Sequence, residues 1–136
     1  MREIFDSFAG FDDFLVYLAV TLALLGAFVA IYVRVTPYRE IELIRQGNLA
    51  AAYSLSGALL GFIVPLSSAV RHSVSLVDMA IWGLIALVVQ VVAFVVVKLM
   101  LPRISNDIVE GHVAQGFFLG AVSLGVGLLN AACMSY

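Results

Sequence analysis

Four stretches of this chain are each long and apolar enough to cross a bilayer, and none carries a charged side chain near its middle. They run from about Phe14 to Val35, Leu49 to Val70, Met79 to Leu101 and Val113 to Met134. A helix rises 1.5 Å per residue, so about 20 apolar residues span the hydrocarbon core, and a helix keeps its backbone hydrogen bonds internal where no water can replace them. Of the 136 residues, 63% are hydrophobic and 12% are charged, against about 25% charged in an ordinary soluble domain. So few charges cannot coat a water-soluble core of this size, whereas lipid accepts an apolar exterior. The expected fold is an all-α membrane protein of four transmembrane helices, one membrane domain over residues 1–136.

The first stretch is expected to be retained rather than cleaved, because its apolar run is longer than a signal-peptide core and no basic segment precedes it. Phe5, Phe8 and Phe11 ahead of it recur at roughly helical spacing and suit the interface. Arg34, Arg39 and Arg45 flank the first connection and Lys98 and Arg103 the third, while only Arg2 and Arg71 fall on the other side. Positive residues in short loops stay cytoplasmic, which predicts both termini outside and the first and third connections inside. The net charge of −2 and seven Lys and Arg speak against a nucleic-acid partner. The lone Cys133 makes no internal disulfide.

The two halves of the chain resemble each other. Ile44 to Ala50 falls on Ile108 to Ala114, followed by Leu55, Leu60 and Gly61 on Leu119, Leu124 and Gly125; upstream, Asp13, Tyr17 and Pro37 fall on Asp78, Trp82 and Pro102. The reading is two tandem, like-oriented two-helix repeats, about 12–70 and 77–134, with a short interfacial helix in each cytoplasmic link. In the first link, Thr36-Pro37 reads as an N-cap with proline at the first helical position. Tyr38, Ile41 and Ile44 form an apolar face, with Arg39, Glu40, Glu42 and Arg45 on the other faces. In the second, Asp107 with Glu110 reads as a capping box. Gly47 and Gly111 end these short helices.

The repeated pattern I-x-x-G-[NH]-x-A-x-[AG], from Ile44 and again from Ile108, resembles the DUF350 family of small bacterial inner-membrane proteins, also labelled UPF0719. The resemblance extends from about Asp12 to Met134. It implies a multi-pass protein of the bacterial plasma membrane with four spans in two repeats, and it brings no catalytic residues and no established activity. Family members standing beside phage-shock-type proteins imply an accessory role in envelope stress.

Several residues invite a chemical reading. Gln90 lies near the centre of the third span, where an amide without a partner costs about 1 to several kcal/mol. It either makes an interhelical hydrogen bond or lines a polar path. Pro65 frees the Gly61 carbonyl, and Ser67, Ser68, Ser123 and Asn130 complete a polar path or packing cluster if their faces meet. Gly57, Gly61, Gly116, Gly120 and Gly125 mark faces for close helix packing, joined by Ala19, Ala23 and Ala27 on the first span, either within the bundle or between copies. At the links, Glu42 and Arg45 offer a charged cytoplasmic surface together with Arg39 and Glu40. Asn48 and His112 satisfy free backbone groups there, a titrating His112 being the alternative. Asp13 and Asp78 meet the positive ends of their helix dipoles.

No metal, cofactor or catalytic motif is legible: there is no HExxH, no C-x-x-C and no phosphate loop. The expectation is a non-enzymatic membrane component or accessory subunit, in contact with lipid and with further copies or a membrane-protein partner. The alternative is an oligomeric channel or small transporter whose pore Gln90, Ser67 and Asn130 line.

Overall fold

A computed structural model describes residues 1–134 as helices alone, without a strand among the described residues. In chain order these are α1 (Arg2–Phe8), α2 (Phe11–Val35), α3 (Glu40–Arg45), α4 (Leu49–His72), α5 (Leu76–Met100), α6 (Ile104–Val109) and α7 (Val113–Cys133). Four spans are long and apolar enough to cross a membrane: α1 with α2, then α4, α5 and α7. Their outward faces are apolar, with Leu22, Leu60, Val88 and Leu129 among the exposed side chains, as a lipid solvent requires.

The bundle is organised around α4 and α7. A Cβ added to Gly57 would collide with the Gly120 backbone, one on Gly116 with the Ala50 backbone, and one on Gly127 with the Gly61 backbone. The contacts advance along both helices together, from Ala50 with Gly116 to Gly61 with Gly127, so α4 and α7 run in the same direction in backbone contact. Small residues permit that approach, and in lipid the packing itself drives it. The glycine faces expected at Gly57, Gly61, Gly116 and Gly120 are therefore in use. Gly125 is not: nothing lies within 4 Å of its added Cβ. Its offset from Gly120 and Gly127 turns it off the contact stripe.

α5 packs across both central helices and buries Met79, Gly83, Ala86, Gln90, Phe94 and Val97. It starts on Ser75, whose Oγ accepts from the Asp78 N–H at 3.1 Å while the Asp78 carboxylate accepts from the Val74 N–H at 3.2 Å. α2 is peripheral and buries only Phe28 and Tyr32. Phe28 stacks on Phe62 of α4 with ring centroids 4.5 Å apart, and Tyr32 meets Phe94 of α5 edge-on at 5.6 Å. Ala19, Ala23 and Ala27, expected to pack within the bundle or between copies, are not used within the bundle and stand exposed. The large residues Leu24, Phe28 and Tyr32 take the inward face, which leaves the small ones outside.

The links depart from expectation in their first half. Thr36 does not cap α3. It ends α2, its N–H and hydroxyl both donating to the Tyr32 carbonyl, at 3.0 and 3.2 Å. Pro37 holds the preceding residue extended (φ −72°, ψ 133°), so the helix stops there and α3 starts only at Glu40. Ile41 and Ile44 consequently face outward, and the buried side is Tyr38 and Glu40. Asp107 and Glu110 likewise form no capping box, because α6 starts at Ile104 and Asp107 already lies inside it. The link ends match expectation. Gly47 and Gly111 both have φ +84°, where a side chain would be strained. Around each, two bonds close the helix: Gly47 N–H to Ile44 and Asn48 N–H to Leu43, then Gly111 N–H to Ile108 and His112 N–H to Asp107, at 2.9–3.0 Å.

Candidate functional site

Gln90 is buried among the three inner helices. Its Nε2 donates to the Gly61 carbonyl of α4 at 2.9 Å and to the Ser123 carbonyl of α7 at 3.2 Å. Pro65 has no N–H to give Gly61, so the amide of α5 supplies the missing donor and ties both glycine-packed helices to the third. Gln90, Pro65 and Ser123 thus come together as a packing cluster. Ser67 does not join it: it points outward from α4. Ser68 is buried, and its carbonyl meets Nδ1 of His72 at 3.0 Å at the far end of α4. Asn130 is half-buried one turn past Gly127, and its Nδ2 finds no hydrogen-bond partner.

Gln90→Leu is expected to strand the Gly61 carbonyl and to lower stability by about 1 kcal/mol in a denaturant titration in detergent. Adding Pro65→Ala to that variant restores the intrahelical donor and recovers part of the loss.

The unusual chemistry lies at the link end. Glu40 is 1% exposed, and neither carboxylate oxygen has a hydrogen-bond partner. Among the described residues no Lys or Arg nitrogen comes within salt-bridge distance of it. The hydroxyls of Tyr32 and Tyr38 are also buried and unpartnered. Ser54 above them donates to its own helix, to Ala51 at 3.0 Å. A cleft of about 440 Å³ opens beside this group, lined by Thr36, Tyr38, Arg39, Glu40, Glu42 and Arg45 among others. Burial pushes the Glu40 carboxyl up to about 7, with the nearby Thr36 hydroxyl pulling the other way. Burial first, and then the Glu40 charge, holds the Tyr38 phenol above its usual range.

The expected charged surface is therefore split. Arg39, Glu42 and Arg45 are exposed, and Glu40 is not. Sequence reasoning placed this carboxyl on the surface and missed its burial; Ile104 at the start of α6 is likewise buried, but it is apolar.

Asn48 does more than cap its own helix. Its Oδ1 accepts from the Ala51 N–H at 3.0 Å, while Nδ2 donates to the carbonyls of Ile108 at 2.8 Å and Val109 at 3.3 Å in α6. The two links are thereby clipped together on one face of the bundle. His112, expected to play the same part, makes no side-chain cap. Its ring lies 3.4 Å from the Asp107 carboxylate and 3.6 Å from that of Glu110. These three side chains could hold a metal ion, each offering one ligand atom within 4.8 Å of the others, on an open surface.

The family model described as "Domain of Unknown Function (DUF350)" matches residues 6–134. The chain belongs to this DUF350 family. It is 41% identical over 134 residues to the "UPF0719 inner membrane protein YjfL" of Escherichia coli (strain K12), covering 98% of this chain and 99% of that one. The protein of the same name from Escherichia coli O157:H7 matches to the same extent. The "UPF0719 transmembrane protein YshE" of Bacillus subtilis (strain 168) is 29% identical over 118 residues, 85% of this chain and 88% of that one. No solved structure matches. The DUF350 match takes in both links and all four spans, so the Gln90 brace and the Glu40 chamber both lie in family territory.

Proposed function

We propose that this DUF350 protein is a non-enzymatic component of the bacterial inner membrane, with both termini outside and the two clipped links in the cytoplasm. It holds a membrane partner or further copies of itself rather than conducting solutes. The observation that carries this reading is the Gln90 amide, whose hydrogens are spent on the Gly61 and Ser123 carbonyls. A polar group committed to two backbone oxygens in a sealed three-helix contact braces helices and offers no path to a solute. The open small-residue face of α2, with Ala19, Ala23, Gly26 and Ala27 exposed, supports contact with another helix in the bilayer. The placing of this chain in an inner membrane follows from the names of its relatives and from its four apolar spans.

Purification in mild detergent, with size measurement and identification of co-purifying chains, tests the reading. The expected result is an assembly larger than one chain, with no solute uptake when it is reconstituted in liposomes. A lone chain that supports saturable uptake, abolished by Gln90→Leu, contradicts it and favours the channel.

A further inference from the structure

The Glu40 chamber has a chemistry that helix bracing does not use. Its oxygens belong to one carboxylate, two phenols and, at its edge, the Thr36 hydroxyl, and among the described residues no Lys or Arg nitrogen comes within salt-bridge distance of the carboxylate. A buried carboxylate without a cationic partner is costly, and proteins resolve such a group by neutralising it or by binding a cation. Both Glu40 oxygens and both phenol oxygens are closed to a solvent-sized sphere, which excludes an organic amine and leaves a bare ion or a proton. A proton provides one hydrogen bond, whereas a metal ion is coordinated by several oxygens at once, and hard oxygen ligands select hard cations. The single negative charge sets the valence: one positive charge neutralises the chamber, and a divalent ion would leave a buried excess.

We propose that Glu40, Tyr32, Tyr38 and Thr36 form a binding site for one alkali metal cation, taken up in exchange for the Glu40 proton. The other charged groups at this site are Arg39, Glu42 and Arg45, all on the exposed rim of the cleft. From α4, the non-ionising Ser54 hydroxyl faces Tyr38, and from α5 the contact to Tyr32 is the apolar Phe94. Glu40 is therefore the group that exchanges its proton, and its carboxyl, held near neutrality by burial, can do so at physiological pH. The site rests on the link geometry alone and stands whether or not the protein has a partner.

The test uses the full chain purified in detergent, in sodium, potassium or choline chloride at equal ionic strength. At pH 8, sodium or potassium raises the thermal midpoint above that in choline. The apparent affinity weakens about tenfold for each pH unit below the Glu40 titration, as competition with one proton requires. Adding the alkali chloride at pH 7 releases protons, up to about half of one per chain, because about half of the Glu40 carboxyls are still protonated there. Glu40→Gln loses both the stabilisation and the proton release, and Tyr38→Phe, which keeps the carboxyl, weakens the apparent affinity several-fold. Equal stabilisation by choline, a Glu40 titration unmoved by alkali ions, or a response that survives Glu40→Gln overturns the site. If Glu40→Gln does not fold, an unchanged affinity in Tyr38→Phe overturns it instead.

Discussion

Gly57→Ala is expected to push α4 away from α7 and to lower the stability of the bundle by about 1–3 kcal/mol, the usual cost of overpacking a close contact. The added methyl meets the carbonyl, Cα and carbonyl carbon of Gly120. None of these is the end of a flexible side chain, so the neighbour cannot rotate away and the helices themselves must separate. Gly127→Ala should behave alike, because its methyl meets the Gly61 backbone, whose carbonyl Gln90 also holds. Gly125→Ala is the control. Its methyl meets nothing within 4 Å, and alanine is the better helix former, so stability should hold or rise. Denaturant titration in detergent measures all three. Equal effects at Gly57 and Gly125 would contradict direct contact between the central helices.

The second large effect is electrostatic and depends on pH. Moving the Glu40 carboxyl from 4.5 to about 7 corresponds to about 3 kcal/mol of preference for the neutral form in the folded state. Between those values the folded chain binds more protons than the unfolded chain, so stability falls as pH rises. The contribution is complete below 4.5, is lost as pH climbs through about 7, and stays lost above it. In choline chloride, wild type should therefore unfold more easily at pH 8 than at pH 5, by about 3 kcal/mol from this group. Glu40→Gln, neutral throughout, should lack that part of the pH dependence and exceed wild type at pH 8. A variant that tracks the wild-type pH profile would mean that Glu40 is solvated.

The spans were legible because a bilayer imposes one length and one polarity on every crossing segment, and all four helices fall close to the apolar stretches. The glycine faces were legible for a related reason, since in lipid close approach is the main use of small residues, and Gly57, Gly61, Gly116 and Gly120 serve it. What the sequence concealed depends on direction rather than on composition. Gly125 looks like a packing residue, but a shift of about 100° around a helix turns it off the contact stripe. Glu40 looks like a headgroup charge, but Pro37 holds Thr36 extended and α3 starts only at Glu40, whose side chain is buried. The Gln90 partner was legible as a need and not as a position. Pro65 declared a free carbonyl at Gly61, but only packing brings residue 90 to it.

Both links lie at one end of the bundle, where Asn48 joins them and Glu40 lies buried. Cysteines placed singly at the exposed positions Glu42 and Asn106, in a Cys133→Ser background, can be labelled with an impermeant maleimide in intact cells and in inverted vesicles. The account predicts that both react only in inverted vesicles. Labelling of one position from each side would contradict it.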